Sequence, residues 1–537
     1  MSRERLYLFD TTLRDGAQTP GIDFSLEDKI RVAKTLDRLG VDYIEGGYPG
    51  ANPTDTEFFA SPPELCTARL IAFGMTKRPG RSISNDSGVA GLLAADASGI
   101  CYVAKSWDFH VTTVLGCSLD ENLESIDSSI SAAIAVGREA MVDCEHFFDG
   151  YKHNRDYAMK CARCAYAAGA RWVILCDTNG GTLPHEIKEI VSDIAREIPG
   201  THLGIHTHND TDNAVANSLA AIRAGVRHVQ GTLNGLGERC GNANLISLIP
   251  TLMLKSDFAE TYEIGVTPES LGELTHASRL LDEILNRSHF SQAPYVGESA
   301  FATKAGIHAS AIIKDPKTYE HVPPEKVGNQ RRLLVSNQGG KSNVLAVLER
   351  LGVEVETDDP RIVRLLEDVK AREFLGYAYE SAEASFEILA RRALGTVPEY
   401  FKVESFRIMV ERRHNALGEQ VTISEATVKI NVGGEVMMSV GEGNGPVNAL
   451  DEALRKDLGI YNSIIADLEL VDYKVRILTG GTAAVTRVLI ESSDASGDRW
   501  FTVGVSPNIV DASFQALTDS ITYKLLKTGA QSIGVQP

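Results

Sequence analysis

The chain has 537 residues, with 53 Lys and Arg against 72 Asp and Glu, which gives a formal net charge of −19. Nucleic acids and anionic lipids repel such a chain, so we expect neither as a partner. Hydrophobic residues make up 43% of the sequence, which excludes a mainly disordered protein. No run of 18 apolar residues is present, and no apolar segment follows the first methionine. We therefore expect no membrane span and no signal peptide, and the 8 scattered cysteines of such a chain indicate reduced thiols in a cytoplasm.

Eight short runs rich in Val, Ile and Leu alternate with longer helical patterns in the first 235 residues. These predicted strands begin at Leu6, Asp42, Arg69, Gly99, Ala140, Trp172, His202 and His228. Their spacing of roughly 30 residues is the length of one strand–helix unit. Eight such units predict an α/β fold, a (β/α)8 or TIM barrel, whose active site lies at the carboxyl ends of the strands.

The pattern changes twice after the barrel. We expect the catalytic barrel to occupy residues 1–275 and a mostly helical linker region, residues 276–398, to complete the active site. Within the linker, the polar and glycine-broken segment from Gln292 to Asn343 is predicted to be a loop region. Residues 399–537 show short strands and glycine turns, which predict a C-terminal α+β domain. Its segments that begin at Val440 and Val503 resemble each other and indicate an internal repeat.

Two histidines, His206 and His208, stand at the end of the seventh predicted strand. Alternate residues of a strand point to the same side, so both imidazoles can face one ion. Asp15 follows the first strand and can add a carboxylate, and Asn242 follows the eighth and can add an amide oxygen. This set of donors predicts a divalent metal ion such as Mn²⁺, Mg²⁺ or Zn²⁺.

Arg14 directly precedes the predicted metal ligand Asp15. An arginine beside a metal ion can stabilise an oxyanion that develops during a reaction, and this is the role we expect for it. The less favoured interpretation is a structural ion pair with Asp15 or Glu45.

Several segments resemble motifs of the metal-dependent barrel enzymes that include the isopropylmalate, homocitrate and citramalate synthases. They are DTTLRDGAQTPG, HTHND, NGLGERCGNANL, GESAFATKAGIHASAI and VGNQRRLLVSNQGGKSN. The last part of the chain resembles the amino-acid-binding regulatory domain of that family. Three further segments, IEGGYPGANPTD, EHFFDGYK and LCDTNGGTLP, are most similar to its citramalate-forming members.

The resemblance implies roles for individual positions. The residues that match the metal ligands of the family are Asp15, His206, His208 and Asn242. Arg14 matches the arginine that polarises the keto oxygen, and Glu145 matches a glutamate of the acid/base network. Thr178 matches a threonine that binds the substrate carboxylate. His308 matches a histidine of acid/base catalysis, and Tyr319 matches a tyrosine near the acetyl-CoA.

Simpler interpretations of four of these residues stay open. Glu145 can pair with Lys105 inside the barrel, and Thr178 can cap a helix. His308 can be an ordinary loop histidine, and the alignment of Tyr319 is not fixed because the preceding stretch varies in length.

The resemblance implies a Claisen-type condensation of acetyl-CoA with a 2-keto acid, and the citramalate-forming members use pyruvate on a route to isoleucine. The alternatives are 2-ketoisovalerate and 2-ketoglutarate, and Lys77 and Lys105 are cations that a second carboxylate could use. A lyase fits less well, because a regulatory tail suits a committed biosynthetic step. A catalytically inactive amino-acid sensor fits less well because Arg14, Asp15 and both histidines are intact.

The C-terminal domain is expected to form a homodimer and to bind an amino-acid effector, isoleucine being the first choice. Backbone amides in the glycine turns GEGNG and TGGT are candidates to hold the carboxylate of that amino acid.

Overall fold

The computed structural model of the chain describes residues 3–336, 338–414, 416–456, 458–481 and 484–532. It divides into two compact units. The first unit is Met1–Phe301 with His321–Arg331, and the second is Ala302–Glu320 with Arg332–Pro537. The boundaries after residues 275 and 398 therefore stay predictions. In the described part of the chain, no helix combines the length and apolar composition that crossing a bilayer requires.

Eight parallel strands of the first unit close into a barrel, as the sequence predicts. A short strand, β1 (Glu4–Arg5), precedes them and pairs with β10 (Tyr262–Glu263). The barrel strands are β2 (Tyr7–Asp10), β3 (Tyr43–Gly47), β4 (Arg69–Met75), β5 (Gly99–Lys105), β6 (Glu139–Glu145), β7 (Trp172–Asp177), β8 (Leu203–Thr207) and β9 (His228–Gly231). The barrel closes where β2 pairs with β9, with Tyr7 opposite His228.

Helices surround the barrel and cover the outward faces of its strands. They are α1 (Leu26–Leu39), α2 (Pro53–Ala60), α3 (Ser87–Ala94), α4 (Asp108–His110), α5 (Leu119–Ala135), α6 (Phe147–His153), α7 (Arg155–Ala167), α8 (Pro184–Ile194), α9 (Ala214–Arg223), α10 (Leu245–Leu254), α11 (Ser256–Ala259), α12 (Pro268–Leu271) and α13 (Leu274–Ile284). Helix α1 shows why these segments are helical. Ser25 and Asp28 form a capping box at its start, and Gly40 ends it in a left-handed conformation with φ 95°.

The interior of the barrel is filled by side chains, so it is a packed core and not a pore. The buried residues of this cluster are Phe9, Tyr43, Ile71, Cys101, Met141, Trp172, Ile174 and Cys176. Trp172 stacks on His228 with ring centroids 4.9 Å apart. This apolar filling leaves the polar side chains of the strands to gather at the carboxyl ends.

The described part of the segment from Gln292 to Asn343 is mostly turns and other irregular backbone, as the sequence predicts, but it also includes a helix and residues of the core. Tyr295, Val296 and Phe301 are buried in the main core of the first unit. In the second unit, helix α14 (Gly306–Lys314) buries Ala309 and Ile312. These two apolar residues are three positions apart and share one helix face, a short pattern that the neighbouring glycines obscured.

The second unit contains three further helices and two copies of one motif. A two-stranded sheet, β11 (Ala302–Thr303) with β12 (Arg332–Leu333), accompanies α14. The helices are α15 (Lys341–Arg350), α16 (Pro360–Phe374) and α17 (Glu383–Leu394). The copies are β13 (Lys402–His414), β14 (Gln420–Val432), β15 (Glu435–Gly443) with α18 (Pro446–Lys456), and β16 (Glu469–Ile477), β17 (Thr486–Ser493), β18 (Arg499–Ser506) with α20 (Ile509–Lys527).

The predicted internal repeat is confirmed by this arrangement. Val440 lies in β15 and Val503 in β18, and each is in the last strand of an antiparallel three-stranded sheet that leads into a helix. A short helix, α19 (Asn462–Ile465), follows the first copy. The C-terminal part is thus the α+β fold that the sequence predicts.

A buried lysine fixes the loop that carries Arg14 and Asp15. Lys29 on α1 is 4% exposed and donates hydrogen bonds to the backbone oxygens of Leu13, at 3.1 Å, and Gly46, at 2.9 Å. It also forms an ion pair with the buried carboxylate of Asp55. One cation thereby joins the end of the first barrel strand to β3 and α2.

We predict that Lys29→Met lowers the free energy of unfolding of the barrel by about 3–5 kcal/mol, because it leaves the buried Asp55 without its counter-charge. Urea unfolding followed by tryptophan fluorescence measures the change. Lys34→Met is the matched control, since Lys34 is exposed on the same helix. Equal stability of the two variants would show that the buried ion pair contributes nothing.

Candidate active site and metal centre

A cavity of about 350 Å³ lies at the carboxyl ends of the barrel strands. Most of the residues that the sequence predicts for the site line it, together with some that it does not. The polar lining residues are Arg14, Asp15, Gln18, Tyr48, Lys105, Asp143, Glu145, Thr178, His206, His208, Glu238 and Arg239. They lie at or just after the carboxyl ends of seven of the eight strands, which is where barrel enzymes place their chemistry.

Asp15, His206 and His208 converge in this cavity. The Nε2 atoms of the two histidines are 3.3 Å apart, and they lie 3.6 Å and 4.0 Å from Oδ2 of Asp15. All three side chains are buried, and their donor atoms lie within 4.8 Å of one another. Two imidazole nitrogens and one carboxylate oxygen, directed at one point, form a set that fits a divalent cation with further positions free.

Asn242 lies beside this triad. Its Nδ2 donates to Oδ1 of Asp15 and to the backbone oxygen of Leu236, both at 3.0 Å. Its Oδ1 is buried and has no hydrogen-bond partner among the described residues. A cation would satisfy this buried oxygen, so the surroundings of Asn242 also fit a metal centre.

The surroundings hold Asp15 and His208 in the protonation states that a metal ligand needs. Burial would raise the pKa of Asp15, but the charge of Arg14 and the two histidines lower it to about 2. Burial and the neighbouring His206 lower the pKa of His208 to about 3. At neutral pH, Asp15 is therefore a carboxylate and His208 a neutral imidazole. Neither group has to release a proton when a metal ion binds.

A chain of hydrogen bonds behind His206 orients its ring. Nδ1 of His206 lies 2.7 Å from Oε1 of Gln230, and Nε2 of Gln230 donates to Oδ1 of Asp143 at 3.0 Å. Because the Gln230 oxygen accepts, His206 carries its proton on Nδ1 and its Nε2 lone pair faces the triad. Neither Gln230 nor Asp143 was among the residues predicted from the sequence. Each of the two is a polar residue within a short apolar strand, and this pattern was the signal that could have identified them.

Arg14 is held by two carboxylates and an aromatic ring. Its Nε donates to Oε2 of Glu45 at 2.6 Å, and its Nη1 donates to Oδ2 of Asp15 at 3.2 Å. The guanidinium carbon lies 3.8 Å from the centre of the Phe73 ring. Both ion pairs of the less favoured interpretation are therefore present. They fix the plane of the guanidinium group at the cavity wall and leave donor hydrogens unused.

Glu145 and Thr178 also line the cavity, and each has a contact within the barrel. Glu145 forms an ion pair with Lys105, as its simpler interpretation expects. The hydroxyl oxygen of Thr178 accepts a hydrogen bond from the backbone N–H of His146 at 2.8 Å. His146 precedes α6 and has φ 56°, a conformation that costs free energy in a residue other than glycine. Thr178 thus supports a strained residue at the rim of the cavity.

His308 and Tyr319 belong to the second unit. His308 lies on α14, and its ring centre is 4.2 Å from that of Tyr319, with 32° between the ring planes. Tyr319 is 51% exposed. The roles that the resemblance implies for these two residues stay predictions.

Comparison with known proteins supports the interpretation of the fold. The family described as HMGL-like matches residues 5–269, the one described as homocitrate synthase post-HMGL domain-like matches residues 295–373, and the LeuA allosteric (dimerisation) domain matches residues 380–525.

Two full-length relatives are (R)-citramalate synthases. That of Aquifex aeolicus is 47% identical over 99% of this chain and 99% of its own length. That of Geobacter sulfurreducens is 49% identical over 97% of this chain and 98% of its own length. A probable 2-isopropylmalate synthase of Methanopyrus kandleri is 32% identical over 96% of this chain and 98% of its own length.

We predict that His206→Ala weakens the binding of Mn²⁺ by more than about a hundredfold. Loss of an outer hydrogen-bond partner of a metal ligand costs 10- to 100-fold, and loss of the ligand itself should cost more. Isothermal titration calorimetry measures the affinity, and circular dichroism checks the fold. His185→Ala, on the exposed side of α8, is the control. Equal Mn²⁺ affinity in the two variants would contradict a metal centre at the triad.

Proposed function

The chain belongs to the (R)-citramalate synthase family, and on this premise we propose that it condenses acetyl-CoA with pyruvate. The methyl group of acetyl-CoA loses a proton, its carbon bonds to the keto carbon of pyruvate, and the thioester is then hydrolysed. Water completes the reaction, and the products are citramalate and free CoA. The observation that carries the proposal is the meeting of Arg14 with the Asp15, His206 and His208 triad in one cavity. Those are the groups that a condensation onto a keto carbon requires.

We propose that the triad, with Asn242, holds a divalent cation. Bound there, the cation supplies Lewis acidity towards the keto and carboxylate oxygens of the keto acid. Arg14 directs its unused N–H groups into the same cavity and stabilises the negative charge that grows on the keto oxygen. Glu45 and Asp15 keep the guanidinium group in place, so little reorganisation accompanies the reaction.

Thr178 is placed to bind the carboxylate of pyruvate. Its oxygen accepts a hydrogen bond from His146, so its own hydroxyl hydrogen is free to donate. An ionised carboxylate accepts such a bond more strongly than a neutral group does. Glu145, paired with Lys105, contributes to the acid/base network in this proposal. The roles of His308 in proton transfer and of Tyr319 near the acetyl-CoA follow from the resemblance alone.

The contacts of two lysines favour a monocarboxylic keto acid over 2-ketoglutarate. A second substrate carboxylate needs a second cation, and the sequence offers Lys77 and Lys105 for it. Lys105 is paired with Glu145, while Lys77 is paired with Glu124 and donates to the backbone oxygen of Arg81 at 3.0 Å. With both lysines already paired, no unused charge at these positions attracts a second carboxylate.

We also propose that the protein is a cytoplasmic homodimer inhibited by isoleucine through its C-terminal part. The dimer is supported by the match to the LeuA allosteric (dimerisation) domain. Inhibition of this kind corresponds to a coupling free energy of about 1–3 kcal/mol between the two sites. Of the glycine turns considered for the effector, GEGNG is described, whereas Thr482 of TGGT lies outside the described residues.

We predict that pyruvate is the preferred keto acid in an assay that measures CoA release from acetyl-CoA. The assay compares kcat/KM for pyruvate, 2-ketoisovalerate and 2-ketoglutarate with Mn²⁺ present. One methylene group changes binding in an apolar pocket by 10- to 200-fold, so a clear preference is expected. A higher kcat/KM for 2-ketoisovalerate would instead identify a 2-isopropylmalate synthase.

We predict that Arg14→Lys lowers kcat about a hundredfold or more and changes the KM for pyruvate little. Lysine keeps the positive charge but loses the planar donor geometry, and the interaction strengthens only as the oxyanion forms. Arg31→Lys on the exposed face of α1 is the matched control. A raised KM with unchanged kcat would make Arg14 a binding residue without a role in the chemical step.

A further inference from the structure

The barrel interior holds a second group of potential metal ligands, which shares no residue with the triad. Glu45 of β3, Cys101 of β5 and Asp143 of β6 each offer one donor atom, and these three atoms lie within 4.8 Å of one another. Glu45 and Cys101 are 0% exposed, and Asp143 is 4% exposed. We call these three residues the floor cluster.

The floor cluster lies where the apolar core of the barrel meets the polar cavity. Cys101 belongs to the buried core inside the barrel, and Asp143 lines the cavity. Because Asp143 borders the cavity, an ion that enters the cavity has a path to the cluster. An entry path is one of the conditions that a metal site has to meet.

Glu45 has a carboxylate oxygen that nothing in the described part of the chain satisfies. Its Oε2 accepts a hydrogen bond from Nε of Arg14 at 2.6 Å. Its Oε1 is buried and has no hydrogen-bond partner among the described residues. A buried acceptor without a partner costs free energy, and a cation would recover that free energy. Glu45 can therefore bind a cation through Oε1 and keep its contact with Arg14.

Cys101 and Asp143 are in contact with each other. The thiol of Cys101 donates a hydrogen bond to the carboxylate of Asp143. Oδ1 of Asp143 also accepts from Nε2 of Gln230 at 3.0 Å. When a metal ion binds, the thiol releases its proton to water in the cavity, and the thiolate sulfur becomes a ligand. Gln230 still holds Asp143 in place.

The charges of the floor cluster fit a divalent cation. Its two carboxylates and one thiolate carry three negative charges when ionised, whereas Arg14 supplies one positive charge. Burial raises the pKa of Glu45, of Asp143 and of Cys101, because it disfavours their ionised forms. A divalent cation supplies the two positive charges that these ionised forms lack.

We propose that the floor cluster binds Zn²⁺ in a second metal site, separate from the triad. A thiolate beside carboxylate oxygens suits Zn²⁺, whereas Mn²⁺ and Mg²⁺ prefer ligands without sulfur. The ligand atoms of a tetrahedral Zn²⁺ are about 3.4–3.6 Å apart, so binding draws the three side chains together by up to about 1 Å. The fourth position of the ion is left for water. The bound ion fixes Glu45 beside Arg14 and Asp143 beside Gln230.

Co²⁺ is a suitable probe of this site in the full chain. A thiolate bound to Co²⁺ gives a sulfur-to-cobalt charge-transfer absorption, which imidazole and carboxylate ligands do not give. The chain is loaded with Mn²⁺ and then titrated with Co²⁺, without substrates. We expect this absorption to saturate, and we expect Zn²⁺ to abolish it because Zn²⁺ binds such sites more tightly than Co²⁺.

Variants of single residues locate the site. Cys101→Ala should remove the absorption and weaken the binding of this Co²⁺ by more than about a hundredfold, since even an outer partner of a ligand contributes 10- to 100-fold. Asp143→Asn should weaken it by about tenfold or more, because it removes a negative charge next to the ion.

Cys144→Ala is the matched control and should behave as the unmodified chain does. Cys144 is 1% exposed and lies on the same strand as Asp143, but it packs in the main core of the first unit and not inside the barrel. Circular dichroism checks the fold of each variant. If Cys101→Ala does not fold, Cys101→Ser takes its place, since serine is closer in size and also gives no thiolate absorption.

Three outcomes contradict the proposal. In the first, the full chain gives no sulfur-to-cobalt absorption. In the second, the Cys101 variant keeps the absorption that Cys144→Ala shows, so another cysteine holds the ion. In the third, Asp143→Asn binds Co²⁺ as tightly as the control does, so the carboxylate is not a ligand. The proposal does not rest on the proposed reaction, and none of these measurements depends on turnover, which the CoA-release assay tests.

Discussion

The arrangement of the barrel site depends on one buried guanidinium group. The side chain of Arg14 is 12% exposed, and burying such a charge costs several kcal/mol unless carboxylates surround it. Glu45 from β3 and Asp15 from the loop after β2 supply them, so the two strands and this loop must keep their relative positions. Lys29 also fixes this loop, because it donates a hydrogen bond to the backbone oxygen of Leu13. Asp15, oriented by these contacts, then lies beside His206 of β8 and His208, which directly follows that strand.

The sequence predicts features that depend on neighbouring residues of one segment, but not contacts between side chains of different barrel strands. The eight strands follow from apolar runs, and the pair His206 and His208 follows from alternation within one strand. Gln230 and Asp143 stand on β9 and β6, and only the closed barrel brings them behind His206. The ion pairs of Arg14 with Asp15 and Glu45 were considered as an alternative to a role in the reaction. Residue spacing does not reveal that Arg14 forms both ion pairs and also lines the cavity.

The C-terminal part shows the same division. Two similar segments predict a repeat, and each copy is a three-stranded antiparallel sheet followed by a helix. The packing of α17 against the second copy was not predictable. The apolar face of α17 indicates that the helix is buried, but it does not indicate which element covers it. Ser385 of α17 donates to Asp519 and accepts from the backbone N–H of Val503 at 3.0 Å. The composition of the sequence places a domain boundary at residue 399. That boundary separates α17 from β18 and α20, although hydrogen bonds of Ser385 join these elements.

The charge balance of the barrel site argues for a cation independently of the resemblance. One guanidinium group, Arg14, faces three buried carboxylates, those of Asp15, Glu45 and Asp143. Burial and the neighbouring Asp143 raise the pKa of Glu45 to about 8 although Arg14 opposes this, and burial also raises the pKa of Asp143. Burial thus disfavours the ionised forms of Glu45 and Asp143, and a further positive charge in the cavity favours those forms. A divalent cation bound beside Asp15 would supply this positive charge. The excess of acidic groups over cationic groups in the site therefore fits a metal centre.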